Sequence, residues 1–337
     1  MTTAGNIQGE PADATVDILK HHGITDTAKW VDNFDFLRHP ISSTISPEGV
    51  VSYSYSFDLS TILRITEPLG IPWHNISEQG HDFAFTTEYA GFTWDLITKR
   101  VSLSDKKRFK YLSKINSFLK MSTVSEKDVA SIHGTLQHAT FVYRHGRCFL
   151  PALSYMITQF TNKWARHHIS TAVRNDLNWW HNVLSHPSSS RSLLPRNTAS
   201  YDIWVDASTT WGIGVIIDGK WMAWRLQDGW QMAGRDIGWA ESVAVELAIL
   251  WVVEQKRSDL EILIHGDNTN IIDAYKRGRS RNIARNASLR RITTSLIPSN
   301  LTLTPIYVPS DSNLADPISR GVLGPPQLRL VYLFKLP

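Results

Sequence analysis

The sequence predicts an α/β (α+β) protein, and three observations in its C-terminal half predict this class. Tyr201 to Leu226 alternates between apolar and polar residues in three short runs, which indicates a three-stranded meander. Trp239 to Glu254 is apolar around almost its whole circumference, as in a buried helix. Leu260 to His265 is a short apolar strand that leads into another helix, an arrangement typical of parallel pairing.

The first strand of the meander carries a carboxylate, Asp206. A buried strand rarely holds an unpaired charge, because an isolated ion is costly to desolvate. Gly212 and Gly214 leave bare backbone in the next strand, where another group can approach closely. The alternative is a solvated aspartate on an edge strand.

The N-terminal part predicts two helices and two hairpins. Pro11–His22 and Asp58–Leu69 have helical patterns, and Phe83–Leu103 has the aromatic and β-branched content of a hairpin. Ala28–Leu37 predicts a strand–turn–strand unit with acids at its tip, for which a plain surface turn is the alternative.

A helical segment follows, and a serine-rich stretch, Ser185 to Ser200, predicts a linker. The predicted helices are Lys106–Lys120, Glu126–Tyr143, Leu150–Phe160 and Thr171–Leu184. The predicted domains are residues 1–103, a helical segment at 104–186, a linker at 187–197, a C-terminal domain at 198–322 and a tail at 323–337.

The whole chain fits a globular protein of a reducing compartment. Its 337 residues include one cysteine, Cys148, so an internal disulfide is excluded. No apolar run approaches the roughly 18 residues needed to span a bilayer, and no secretory signal is evident at the N-terminus. We therefore expect an intracellular location, in the cytoplasm or nucleus, without membrane association.

Three further acids stand at informative positions. Glu246 interrupts the apolar run Val243–Val253 and is predicted to be a carboxylate in an interior. Asp267 follows a parallel-type strand, where open α/β sheets place their ligands, although a helix N-cap is the alternative. Asp316 precedes a proline and could be an ordinary turn residue, and Glu241 is interpreted as a first-turn acid favoured by the helix dipole.

Carboxylates that converge on one cleft repel one another by about 4 kcal/mol per pair at ~4 Å and an effective dielectric near 20. Hard divalent cations remove that repulsion, and an oxygen-only ligand set favours Mg²⁺ or Mn²⁺. No spacing of cysteine and histidine in the chain suits zinc. Two such ions can activate water for phosphodiester hydrolysis.

Four stretches in order, VDASTTWGIGV, AVELAIL, HGDN and NLADPISRG, resemble the acidic motifs of retroelement type-1 ribonuclease H over roughly Thr198–Gly321. The resemblance implies a mixed sheet with helices on both faces, and cleavage of the RNA strand of RNA–DNA hybrids. It implies that two Mg²⁺ or Mn²⁺ ions are held by Asp206, Glu246, Asp267 and Asp316. Many of these enzymes have a mobile histidine before the last aspartate, and residues 282–316 contain none.

The upstream half resembles the end of a retrotransposon reverse transcriptase of DIRS-like or gypsy-like, fungal type. KWVDNFDFLRHP is similar to the aspartate hairpin of the polymerase, with Asp32 and Asn33 at the positions of its paired acids. YAGFTWDL with VSLSDKKRFKYL is similar to the primer-grip hairpin and the start of the thumb. The strand with the first catalytic aspartate is expected before Met1, so DNA polymerase activity is not expected, and other parts of the polyprotein are expected partners.

Net charge is only +4, but basic residues cluster in Lys106–Lys120 and Lys276–Arg291. Such clusters are typical of contacts with a phosphate backbone, although each could simply be a solvated helix face. The predicted nucleic-acid contacts are Lys106, Lys107, Arg108, Lys110, Arg279, Arg281 and Arg285.

Three functional hypotheses remain open from the sequence. The first is an active ribonuclease H in a chain with an incomplete polymerase. The second is a non-catalytic nucleic-acid-binding relic of a retrotransposon polyprotein. The third is a polymerase half that works with a separate chain.

Overall fold

The computed structural model describes residues 2–30, 33–76, 78, 80–186 and 190–334, with side chains from residue 9 onward. The chain divides into two compact units, Met1–Lys99 and Arg100–Pro337. Each unit is described by itself.

The first unit combines helices with short hairpins around a small core of Leu19, Ile24 and Ile62. The Asp58 carboxylate begins its second helix by accepting a hydrogen bond from the Thr61 backbone N–H. The predicted hairpin at Ala28–Leu37 is present, with Trp30 opposite Asn33, whereas Asp32 lies outside the described residues. The elements are α1 (Thr2–His21), β1 (Thr27–Trp30), β2 (Asn33–Phe36), β3 (Pro40–Ile45), β4 (Val51–Tyr55), α2 (Leu59–Thr66), β5 (Thr86–Tyr89) and β6 (Phe92–Asp95).

The second unit begins with the helical segment, and the four predicted helices are confirmed with slightly different ends. Ser125 and Asp128 form a capping box that fixes the start of one of them. Trp180 is fully buried and donates from its indole N–H to the Phe149 carbonyl at 3.2 Å. The elements are β7 (Arg100–Leu103), α3 (Asp105–Leu119), β8 (Thr123–Ser125), α4 (Glu126–Ala139), α5 (Pro151–Thr158), β9 (Arg166–His168) and α6 (Thr171–Ser185).

The serine-rich stretch differs from the predicted linker. Ser190–Ser192 forms β10, which pairs with β7, and Asn197–Thr198 forms β11, which pairs with a strand of the C-terminal sheet. The Arg100 Nε donates to the Ser190 Oγ at 2.6 Å, and the Arg196 Nη2 donates to the Asn300 Oδ1 at 2.8 Å. A serine-rich composition predicts a flexible linker only if the backbone forms no strand pairing. Here β10 and β11 each pair with another strand, so this part of the stretch is structured.

The C-terminal region follows the predicted order of three strands, helix, strand, two helices, strand and helix. Its sheet has the order β14, β13, β12, β15, β16, and the short β11 also pairs with β15 in parallel. β14, β13 and β12 are antiparallel to their neighbours in this group, and β12, β15 and β16 are parallel. The elements are β12 (Ile203–Ala207), β13 (Gly212–Ile217), β14 (Lys220–Arg225), α7 (Ile237–Glu254), β15 (Leu260–Gly266), α8 (Thr269–Arg277), α9 (Ile283–Leu296), β16 (Thr302–Tyr307) and α10 (Asp316–Ser319).

Helices cover both faces of this sheet. On one face, Ile203 and Val205 pack with the apolar side chains of α7 in the main core. On the other, Gly214 lies so close to α10 that a Cβ there would be 2.6 Å from the Ser319 backbone nitrogen. Asp206 is directly opposite Gly214 in the strand register and therefore faces α10. This arrangement agrees with the predicted ribonuclease H-like fold.

The tail, which carries no readable sequence motif, packs against β14. The indole N–H of Trp221 donates to the Pro325 carbonyl at 3.0 Å, and that of Trp224 donates to the Tyr332 hydroxyl at 2.9 Å. The Leu330 backbone N–H donates to the Trp221 carbonyl, so the tail satisfies part of this edge strand.

The helical segment and the C-terminal region are joined by buried polar contacts. Arg290 on α9 forms an ion pair with the buried carboxylate of Asp176 on α6, at 2.7 Å. The Cys148 carbonyl accepts hydrogen bonds from the Asn286 side chain at 2.9 Å and from Arg290 Nε at 3.0 Å. Burial raises the pKa of the Cys148 thiol to about 12.

Among the described residues of the chain, no helix combines the length and hydropathy needed to cross a bilayer.

Candidate acidic site

Asp206 on β12 is the centre of a cluster of carboxylates. Its side chain is buried, and the Ser319 hydroxyl on α10 donates a hydrogen bond to its Oδ2. Burial raises the pKa of Asp206 to about 6, and the negative charges of Asp267 and Asp316 add to this increase. The solvated edge-strand alternative is therefore excluded.

Asp267 lies directly after β15, at the carboxyl end of a strand parallel to β12. The cap of α8 is not Asp267 but Asn268, whose side chain accepts from the backbone N–H groups of Asn270 and Ile271. The Asp267 Oδ2 instead accepts a hydrogen bond of 2.6 Å from the Ser310 hydroxyl. Asp267 is thus free of a role in helix capping.

Asp316 begins α10 and is held by Arg320, one turn later. The Arg320 Nε lies 2.9 and 2.8 Å from the two carboxylate oxygens. The pKa of Arg320 is raised first by its hydrogen bond to Asp316 and also by the charges of Asp206 and Asp267. The positive charge of Arg320 is therefore stabilised by three carboxylates of the cluster.

The fourth carboxylate of this cluster is Glu241, near the start of α7. Burial raises the pKa of Glu241 to about 8, with further contributions from the charges of Asp267 and Asp206. Glu241 and Asp267 also line one small pocket, together with Val205 and Gly266. Sequence reasoning explained Glu241 by the helix dipole and so missed it. The available signal was its place at the end of α7 nearest the carboxyl ends of the parallel strands.

The prediction that Glu246 belongs to the cluster differs from the structure. Glu246 is buried, but its oxygens accept from Arg291 at 2.6 and 2.9 Å and from the Ser288 hydroxyl at 2.8 Å, both on α9. Five residues separate it from Glu241, which is about 140° around a helix. Glu246 therefore faces α9, whereas Glu241 faces the sheet end that carries the aspartates.

The donor chemistry of the cluster suits a hard divalent cation. Its ligands would be carboxylate oxygens. The pKa values of Asp206 and Glu241 are raised chiefly by burial and further by neighbouring negative charges, and a bound cation would favour the ionised form of both. Within the described residues, no three acidic, histidine or cysteine side chains are already arranged to hold one ion. Ser319, Ser310 and Arg320 hold the aspartates instead, so metal binding would require these side chains to reorient.

The predicted nucleic-acid contacts fall into two groups. Two of them are engaged within the protein: Arg108 is buried and donates to Asp105 and to the Leu184 carbonyl, and Arg285 forms an ion pair with Asp236 at 2.6 Å. In this arrangement the guanidinium groups of Arg108 and Arg285 are aligned on internal acceptors, and their contacts with nucleic acid stay predictions. The residues at or near the surface are Lys106, Lys107, Lys110, Arg279 and Arg281.

The upstream hairpin that resembles a polymerase motif is described only in part. Asn33 is an exposed residue at the start of β2, and its partner position, Asp32, lies outside the described residues.

No protein-family model and no curated protein matches the sequence. Among solved structures, the chain is similar to a foamy viral protease–reverse transcriptase dRH in complex with double-stranded DNA. The identity is 13% and the TM-score 0.35, over 88% of this chain and 48% of that one. It is also similar to a foamy viral protease–reverse transcriptase in complex with an RNA/DNA hybrid, at 13% identity and a TM-score of 0.37, over 96% of this chain and 40% of that one. The chain thus spans less than half the length of either protein, and the likeness concerns the fold alone.

Proposed function

We propose that the C-terminal region is a metal-dependent endonuclease that hydrolyses the RNA strand of RNA–DNA hybrids. One observation carries the proposal: four acidic residues, Asp206, Glu241, Asp267 and Asp316, lie at one end of the mixed sheet. Asp206 faces the helix that begins with Asp316, and Glu241 lines one pocket with Asp267. The stability of the fold alone gives no reason to gather four acids with one arginine, because burial and mutual repulsion of carboxylates destabilise the folded state.

The same four residues would hold a pair of Mg²⁺ or Mn²⁺ ions, with Glu241 in the place that the sequence assigned to Glu246. When bound, such ions lower the pKa of an attacking water and neutralise charge on the leaving oxygen of a phosphodiester. In the structure Ser319 and Ser310 bind Asp206 and Asp267, and Arg320 binds Asp316. On metal binding the three aspartates would exchange these partners for the ions.

The test is cleavage of a hybrid whose RNA strand carries a 5′ label, with Mg²⁺, with Mn²⁺ or with a chelator. We expect metal-dependent shortening of the RNA while the DNA strand and single-stranded RNA stay intact. Asp206→Asn should reduce the rate at least 100-fold, because the change removes a charged oxygen ligand at the centre of the cluster. Asp311→Asn, an exposed carboxylate on the turn before α10, is the matched control and should retain the rate. Binding of hybrid without cleavage by the wild-type chain would favour a non-catalytic relic.

A further inference from the structure

Three arginines outside the predicted basic clusters lie together in the second unit. Arg144 and Arg147 belong to the 3₁₀ turn Arg144–Phe149, which follows α4, and Arg191 is the middle residue of β10. Arg144 is exposed, and the other two are half-buried. We call Arg144, Arg147 and Arg191 the arginine patch.

The patch has an excess of positive charge. The pKa of Arg191 is lowered by burial and then by the charges of Arg144 and Arg147. Burial lowers the pKa of the neighbouring His145 to about 4, with further contributions from Arg196 and Arg144, so this imidazole is neutral at physiological pH. Among the ion pairs of the described residues, none joins a carboxylate to a member of the patch. Within the described residues, no carboxylate ion pair therefore offsets the repulsion between these guanidinium groups.

The side chains are held in place by their surroundings. Arg191 donates from Nη1 to the Phe141 carbonyl at 3.2 Å, and its guanidinium carbon lies 5.2 Å from the centre of the Phe141 ring. Arg147 packs against the loop after α8, where a Cβ on Gly278 would lie 3.2 Å from the Arg147 Cβ. The Arg147 Nε is buried and, within the described residues, has no hydrogen-bond partner. This donor is therefore left unsatisfied within the described part of the protein, while the rest of the half-buried guanidinium adds its positive charge to the patch.

We propose that the arginine patch binds successive phosphate groups on the backbone of a nucleic-acid duplex. This inference rests on the proposed function and extends it, because it adds a substrate contact on a different part of the chain. Guanidinium groups bind phosphate oxygens through parallel N–H donors, and a duplex supplies a regular row of such anions. Gly278, against which Arg147 packs, is followed directly by the exposed Arg279, which adds a further positive charge next to the patch.

The test measures binding without cleavage. A fluorescent RNA–DNA hybrid is titrated with the full chain in a chelating buffer at several KCl concentrations. Each lost phosphate contact reduces the slope of log K against log [salt] by about 1. We expect Arg144→Gln/Arg191→Gln to flatten the slope by about 2, and Arg144→Lys/Arg191→Lys to retain most of it. Lys256→Gln/Arg257→Gln is the matched control: it removes two exposed positive charges elsewhere and should leave the slope unchanged.

Circular dichroism establishes whether each variant is folded. If the double variant is not folded, the single change Arg144→Gln at an exposed position is used instead, and it should flatten the slope by about 1. An unchanged slope, or an equal change in the control, would overturn the proposal. Poly-glutamate is titrated in the same way as a model of an acidic protein. If the double variant loses binding to poly-glutamate but still binds the hybrid as wild type does, the patch binds an acidic protein and the proposal is overturned. Because the chelator removes metal, the result does not depend on cleavage. A chain that fails to cleave RNA but shows the expected slopes would contradict the proposed function and support the patch.

Discussion

Glu241 and Glu246 lie on one helix, five residues apart, in two different electrostatic environments. Glu241 faces two aspartates, and Glu246 is neutralised by Arg291. We expect Glu241→Gln to reduce hybrid cleavage at least 100-fold, because the change removes an oxygen ligand that can ionise. Stability should change little, because burial already favours the neutral form of this side chain near neutral pH and glutamine is neutral as well. Glu246→Gln should retain cleavage and lower the free energy of unfolding by about 1–3 kcal/mol, because Arg291 loses its charged partner.

Cleavage rates and urea unfolding of the two variants check this contrast. Loss of cleavage in Glu246→Gln together with full activity in Glu241→Gln would restore the assignment made from the sequence.

The buried ion pair of Asp176 and Arg290 predicts a dependence of stability on pH. Burial raises the pKa of Asp176 to about 6, and Arg290 opposes this increase only in part. The pKa in the unfolded chain is about 3.9, so between the two values the folded state binds the proton and the unfolded state does not. The contribution of Asp176 is therefore most favourable below about pH 4 and is lost as pH rises to about 6, by about 3 kcal/mol in total.

Asp176→Asn cannot titrate, so the difference in unfolding free energy between wild type and this variant should fall from pH 4 to 6 and then stay level. Urea unfolding followed by tryptophan fluorescence at several pH values measures it. A difference that rises with pH would mean that the folded state lowers, rather than raises, the pKa of Asp176.

At the scale of elements, α10 approaches the sheet through a single glycine. A Cβ at residue 214 would lie 2.6 Å from the Ser319 nitrogen and 2.7 Å from the Ala315 carbonyl oxygen. We expect Gly214→Ala to displace α10, and with it Asp316 and Ser319. Hybrid cleavage should be lost and stability should fall by about 1–3 kcal/mol.

Gly134→Ala is the control, because its Cβ would meet nothing within 4 Å in the middle of α4. This control should be neutral or stabilising by up to about 1 kcal/mol. Thermal melts and cleavage assays of both variants make the comparison. Normal cleavage by Gly214→Ala would show that α10 does not have to be held this close to β13.

The packing of the tail on β14 gives a prediction about stability. Tyr332→Ala should lower the free energy of unfolding by about 1–2 kcal/mol, because the ring and its contact with Trp224 are lost. Leu333→Ala, at a side chain that is 89% exposed, should change it by less than about 0.5 kcal/mol. If chemical denaturation shows an effect of Tyr332→Ala as small as the one expected for Leu333→Ala, the contact with Trp224 does not stabilise the protein.

The sequence predicts the elements well where periodicity is strong and poorly where pairing is tertiary. The meander, α7, β15 and the four helices of the helical segment follow from apolar spacing alone. The strand in Ser190–Ser192 and the packed tail do not, because their partners are distant in sequence. The three aspartates could be located from strand order, whereas the choice between Glu241 and Glu246 depends on which side of α7 meets α9.

For the whole molecule, the paired serine-rich stretch predicts resistance to protease. Trypsin should cut slowly at Arg196 in the native chain, because this side chain is held by Asn300. Asn300→Gly removes the Oδ1 acceptor, keeps the backbone carbonyl that also accepts from Arg196, and suits the positive φ of 49° at this position. Cleavage at Arg196 should therefore become faster. Mass spectrometry of timed digests identifies the cuts. Rapid cleavage of the wild-type chain at Arg196 would instead support the flexible linker that the composition predicts.

The reactivity of one native side chain reports how often the helical segment separates from α9. The chain's single thiol, Cys148, is buried, and the carbonyl of the same residue accepts hydrogen bonds from two side chains of that helix. With a pKa of about 12, the thiol is almost entirely protonated and inaccessible while this junction stays closed. Alkylation in the native state would therefore proceed at the pace of opening, so the rate of reagent uptake counts those openings without any engineered label.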